Sequence, residues 1–194
     1  MVHLMKNNNV DILHFDVEVF SPNRRRFDIQ YFKNYVTPAH EMSFNSSFSI
    51  ISEVYTLDQK YRWTIWQNVY RSKILKIAYS HIRDFPITMA EDCYQYFIIS
   101  YFSSNFLYLK TPPLYFYRIG SGVSTGKSLS YSEFCQTIFS QYQVYILIKE
   151  FLHRQGALQL YKKQITFLHD LFVPTDNSCN LTQMKKNSNI SKFE

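Results

Sequence analysis

Ile87-Thr88-Met89-Ala90-Glu91-Asp92-Cys93-Tyr94-Gln95-Tyr96-Phe97 passes from a polar start into an apolar, aromatic run, and its reading decides how the rest of the chain is arranged. Thr88 followed three residues later by Glu91 has the spacing of a capping box, in which hydroxyl and carboxylate each satisfy a free backbone N–H at a helix start. Ile98, Ile99 and Phe102 carry the predicted helix on to about residue 105. Glu91 and Asp92 then stand in its first turn, where negative charge suits the helix dipole. The pair also admits a chemical reading, because a carboxylate fixed at a helix start can take a proton from an attacking hydroxyl. Spacing leaves both readings open.

On the C-terminal side, residues 106–109 form a short apolar strand, Thr111-Pro112-Pro113 a turn, and residues 114–119 another strand that ends at the loop Gly120-Ser121-Gly122. Ser130 and Glu133 make a second capping box, opening a long helix that Gly156 breaks; a further helix runs to about Phe172 and Pro174 stops it. On the N-terminal side a helix is expected over residues 72–82 with Ser72 as its cap, a short strand or extended entry over 61–69, and a helix over 46–57. In residues 10–20, Leu13, Phe15, Val17 and Val19 alternate with His14, Asp16 and Glu18, the period of one half-buried strand. The triple Asn at 7–9 marks a turn or helix end, and residues 27–32 fit neither period. No repeat is present, and the mixture of elements is α/β.

The chain has 194 residues, a length that suits a single domain. Its 16 Tyr and 17 Phe demand a ring-rich core, against only 4 Gly. Lys and Arg exceed Asp and Glu by 21 to 15, a net charge of +6 that favours anionic partners: membrane lipids, sugar nucleotides or nucleic acid. No nucleic-acid-binding module accompanies that charge, so no nucleic-acid partner is expected. Cys93, Cys135 and Cys179 are odd in number, widely spaced and without zinc-ligand spacing, which favours a reducing, cytoplasmic setting. The apolar runs, such as 96–102, fall far short of the roughly 20 residues of a membrane span.

Three local matches carry no chemistry. Gly126-Lys127-Ser128 lacks the Gly that a phosphate loop needs five positions earlier, where Ser121 stands. Arg24, Arg25 and Arg26 read as a solvated turn. Asp16 and Glu18 could share one side as metal ligands, yet they are also simply the polar face of the alternating strand.

One ordered set of segments does point to a family. Ile65-Trp66-Gln67-Asn68-Val69-Tyr70-Arg71, the helix over 72–82, Glu91-Asp92, the aromatic helix over 93–102, Tyr115-Phe116-Tyr117-Arg118, and Ser121 or Ser124 resemble, in order and spacing, the acceptor side of family 2 glycosyltransferases. The likeness covers about residues 10–125. It implies an incomplete A-type glycosyltransferase fold, a mixed sheet with flanking helices, over residues 1–125, then a helical extension over 126–173 and a disordered tail over 174–194. Asp92 matches the catalytic base and Glu91 its companion facing the acceptor. Arg71 and Arg118 would line the phosphate or acceptor side, and Trp66 would be a packing or sugar-stacking surface. Asn68 departs from the pattern, since the family more often has Lys there.

The resemblance also implies a nucleotide sugar, a glycan or lipid-linked acceptor such as a lipopolysaccharide, and a divalent metal, Mg or Mn, whose Asp-x-Asp ligands belong to a donor half that precedes these segments in the family. A truncated or split form is therefore expected, inactive alone and completed by a separately encoded donor half, working in the cytoplasm at the inner face of the membrane. The alternative is a non-catalytic remnant or interaction module that packs against another subunit.

Overall fold

The expected strand over 10–20 is two strands in two sheets. In the computed structural model, which describes residues 2–21, 26–119 and 130–173, β1 (Ile12–His14) lies inside a four-stranded mixed sheet. Naming the other strands β2 (Val17–Phe20), β3 (Met42–Phe44), β4 (Asn68–Tyr70), β5 (Phe106–Tyr108) and β6 (Tyr115–Arg118), its order is β3-β5-β1-β4. β1 runs parallel to β5 and antiparallel to β4, and β3 runs antiparallel to β5. β2 pairs instead with β6, in parallel.

Asp16 sits at the break between β1 and β2, tied to the loop after β5. Its carboxylate accepts from the Tyr108 hydroxyl at 2.7 Å and from the Thr111 backbone N–H at 2.9 Å, and its own N–H donates to the Thr111 hydroxyl at 3.3 Å. All of β1 is buried, so His14, expected on a polar face, is fully enclosed. A strand with neighbours on both edges and rings over it has no solvent face for alternation to describe.

The helices are α1 (Val2–Asn7), α2 (Arg26–Val36), α3 (Ser47–Val54), α4 (Ser72–Tyr79), α5 (Glu91–Phe102), α6 (Tyr131–Arg154) and α7 (Lys162–Phe172). The chain is thus mixed α/β, as its sequence suggests. α5 is buried nearly all round, from Cys93 and Tyr94 through Tyr96 to Ser100, and packs on α3, α4 and α6. That is the pattern of a helix in the middle of a core. α6 and α7 share this core: Val144, Ile148, Phe151 and Leu168 join Ile12, Ile51 and Phe97 in one cluster. Two of the buried tyrosines donate to carbonyls, Tyr55 to that of Cys93 at 2.7 Å and Tyr61 to that of Ile50 at 3.1 Å.

Capping follows the sequence at one helix and not at another. Ser130 and Glu133 form the expected capping box of α6, and Gly156, at φ +65°, follows its end. At α5 the expected box is absent. Ala90 is the cap residue, at φ 65° with no side-chain bond to the helix, while the Thr88 hydroxyl and N–H meet Ser140 Oγ of α6 at 2.9 and 3.2 Å. A tertiary partner has taken the local cap. Ser72 is the first residue of α4, capped by Arg71, and that helix ends at Tyr79. Residues 27–32, unassigned from sequence, belong to α2.

Among the described residues no helix is long and apolar enough to cross a membrane. The tail over 174–194, Ser121, Ser124, Arg24, Arg25 and the Gly126-Lys127-Ser128 match lie outside the described residues.

Candidate functional site

Asp92 projects from the first turn of α5 toward a single turn of 3-10 helix, Ile65–Gln67, that leads into β4. Its carboxyl is partly buried and its pKa is raised to about 6, chiefly by desolvation and then by the charge of Glu91; the Ile65 backbone N–H pulls it partway back. The charge of Asp92 in turn helps hold the phenols of Tyr70 and Tyr117 above their ordinary range, after the larger effect of their burial. These shared shifts put Asp92, Tyr70 and Tyr117 in one neighbourhood.

Aromatic stacking builds the wall beside it. Trp66 stacks on Tyr117 with centroids 4.5 Å apart and an interplanar angle of 19°, and leans on Tyr115 at 5.3 Å. Tyr117 stacks on Phe32 of α2 at 5.0 Å. Tyr115 and Tyr117 are two apart on β6 and so face one side of the strand. That joins the 3-10 turn, which packs on α5, to the small sheet. The Tyr70 hydroxyl donates to the Ile65 carbonyl at 3.2 Å, closing the turn.

The two arginines lie differently. Arg71 forms an ion pair with Asp11 at 2.9 Å and donates to Asn9 Oδ1 at 3.1 Å and the Val10 carbonyl at 3.0 Å. Asp11 also accepts from the backbone N–H groups of Ser104 and Asn105. Arg71 is thereby engaged in binding α4 to the loops before β1 and β5. Arg118 is exposed and falls on the opposite side of β6 from Tyr117 by strand alternation. The structure therefore sets Asp92 against the turn that carries Trp66, and sets Arg71 and Arg118 to other tasks or surfaces.

Glu91 is exposed and lines an open cleft of about 380 Å³ with Tyr79, Arg83 and Gln95, a lining that does not include Asp92. Tyr70, Tyr117 and this cleft were not singled out by sequence reasoning. Their signals were present: Tyr117 alternates with Arg118, and Glu91, Tyr94 and Gln95 have the i, i+3, i+4 spacing of one helix face.

The two carboxylates of the 10–20 segment that are candidates for a metal have other partners. Asp16 is held by Tyr108 and Thr111, and Glu18 is paired with Lys33 at 3.0 Å. Among the described residues no group of three or more His, Cys, Asp and Glu could hold a metal ion. Comparison of the chain with protein-family models, with curated proteins and with solved structures finds no match.

Proposed function

We propose that this chain is the acceptor side of an A-type family 2 glycosyltransferase, in which Asp92 accepts the proton of an acceptor hydroxyl as its oxygen attacks the sugar of a nucleotide donor. The observation that supports this most is the Asp92 carboxyl, raised to about 6 at the start of α5 and set beside the Trp66–Tyr117 stack. A base with a pKa near the working pH is ionised when it must accept a proton, yet still basic enough to do so. The hydroxyl's O–H bond breaks toward Asp92 while the new glycosidic bond forms and the nucleotide leaves. The nucleotide and its metal are held by a donor half outside the residues described, and the acceptor is a surface glycan or lipid-linked sugar at the inner face of the membrane.

The second reading, a non-catalytic module that packs against another subunit, is favoured by apolar groups on the small sheet: Leu114, Phe116 and Phe20 are all exposed, Phe116 by 68%. One experiment separates the two. Transfer of labelled sugar from UDP- and GDP-sugars to membrane glycans is measured for the chain co-expressed with the segment encoded immediately upstream, wild type against Asp92→Asn. The catalytic reading expects transfer that falls by about 10²-fold to 10⁴-fold in the variant. No transfer, or transfer untouched by Asp92→Asn in a folded variant, contradicts it and leaves the packing module.

A further inference from the structure

The cleft lined by Glu91, the residue before Asp92, has a chemical bias that bears on which sugar it could take. Its walls are the end of α4, the loop over residues 80–90 and the Glu91–Tyr94–Gln95 face of α5. At about 380 Å³ it lies in the range of small-molecule sites. Tyr79 is half exposed, giving a ring face at the mouth, and its hydroxyl donates to Gln95 Oε1 at 3.1 Å. That bond fixes the Gln95 amide, leaving its N–H₂ donors for a ligand. The Arg83 backbone N–H donates to the buried Tyr94 hydroxyl at 3.0 Å and pins the loop to α5. A fixed ring face with a fixed planar amide is what a sugar ring uses: apolar C–H faces stack on the ring while hydroxyls bond the amide and carboxylates.

Charge decides which sugars. Among the described residues Arg83 is the cation that lines the cleft, and it pairs with Glu150 at 2.7 Å, with Arg154 4.0 Å from the same carboxylate. Glu91 and Asp84 line the cleft and form no ion pair with a described residue. The cleft therefore has an excess of negative charge on its rim, which opposes carboxylate or phosphate on a ligand.

We propose that this cleft binds the acceptor's sugar as a neutral or amino-substituted pyranose and rejects uronates and sugar phosphates. The proposal rests on the glycosyltransferase reading for its link to Asp92, while binding itself can be tested without any turnover. Saturation-transfer NMR and competition are run on the full chain with four probes: methyl glucoside, methyl galactoside, methyl N-acetylglucosaminide and methyl glucuronide. At least one neutral glycoside is expected to bind in the millimolar range, with the glucuronide roughly tenfold weaker than the glucoside. Tyr79→Ala and Gln95→Ala abolish binding, and Glu91→Gln brings the glucuronide up toward the glucoside. Circular dichroism shows whether each variant keeps its fold. The proposal is overturned if no neutral glycoside binds, if the glucuronide binds as well as the glucoside, or if folded Tyr79→Ala and Gln95→Ala both bind as wild type does. Loss of the enzymatic reading alone would show differently, as an absence of Asp92-dependent transfer with cleft binding intact.

Discussion

Asp92 and His14 are the two side chains whose surroundings change their protonation most usefully. For Asp92 the folded state raises the pKa from 3.8 to about 6, so between those values it holds a proton that the unfolded chain has released. Its contribution to stability is thus largest in acid and is lost as pH rises through about 6. At pH 7 the ionised, partly buried carboxylate is a burden, and Asp92→Asn is expected to raise the unfolding free energy by about 1–2 kcal/mol after allowance for partial exposure. Thermal unfolding of the two proteins measures this; a destabilised variant would argue that the carboxylate is chiefly a helix cap. A variant stabilised in this way would fit a carboxylate kept for function and not for the fold.

His14 works in the other direction. Burial lowers its pKa from 6.5 to about 4, and its Nδ1 is bonded to Asn68 Oδ1 at 2.8 Å between the rings of Tyr61 and Tyr108. The neutral ring's stabilisation is complete above about 6.5 and is lost as pH falls through about 4, by up to about 3 kcal/mol. Over pH 4–6 the titration of Asp92 opposes it, so Asp92→Asn is the background in which to look. There the unfolding free energy should fall steeply from pH 6.5 to 4, and adding His14→Gln should flatten that fall.

At the scale of elements, α5 is the segment on which fold and site both depend, and its start is held by an uncommon device. Ala90 has φ 65°, a conformation that costs an L-residue about 1–2 kcal/mol, of which Gly's greater chain freedom when unfolded would return only part. Ala90→Gly should therefore raise stability by about 0.5–1 kcal/mol, seen as a higher denaturant midpoint at an unchanged slope. An unchanged or lower midpoint would mean that the left-handed residue is not strained. Because the turn before Asp92 is set by this residue and by Thr88 bonding to Ser140, the direction of the carboxylate depends on α6 as well as α5.

The same contacts explain what the sequence could and could not announce. The box at Ser130 was legible because its partner is three residues away, whereas Thr88 finds its partner in Ser140, and no local rule anticipates a bond across that separation. Alternation over 10–20 correctly marked extended chain. It could not mark the break at Asp16, which comes from Tyr108 and Thr111. Of the candidate site, the order of Trp66, Asp92 and Tyr117 could be read along the chain. That Trp66 would stack on Tyr117, and that Arg71 would turn to Asp11, are choices made by packing.

For the molecule as a whole, one continuous core spans the four-stranded sheet, α3, α5, α6 and α7, so the C-terminal helices stabilise the very segment that presents Asp92. The site lies at the edge of that core, where the small β2–β6 sheet brings Tyr117 and Trp66 alongside α5. Rigid support of this kind would suit the proposed base, which must stay fixed while an acceptor comes and goes. The excess of basic residues suits a nucleotide sugar and an anionic membrane surface as partners.

The central claim, that Asp92 is the base of sugar transfer, is tested most directly by the pH dependence of transfer under substrate-limited conditions, with the chain completed by its donor half. The rate should climb with pH through a limb near 6, set by ionisation of Asp92, and this limb should vanish in the much slower Asp92→Asn protein. A limb that persists in the variant, or a wild-type rate that does not change between pH 5 and 7, would contradict the account.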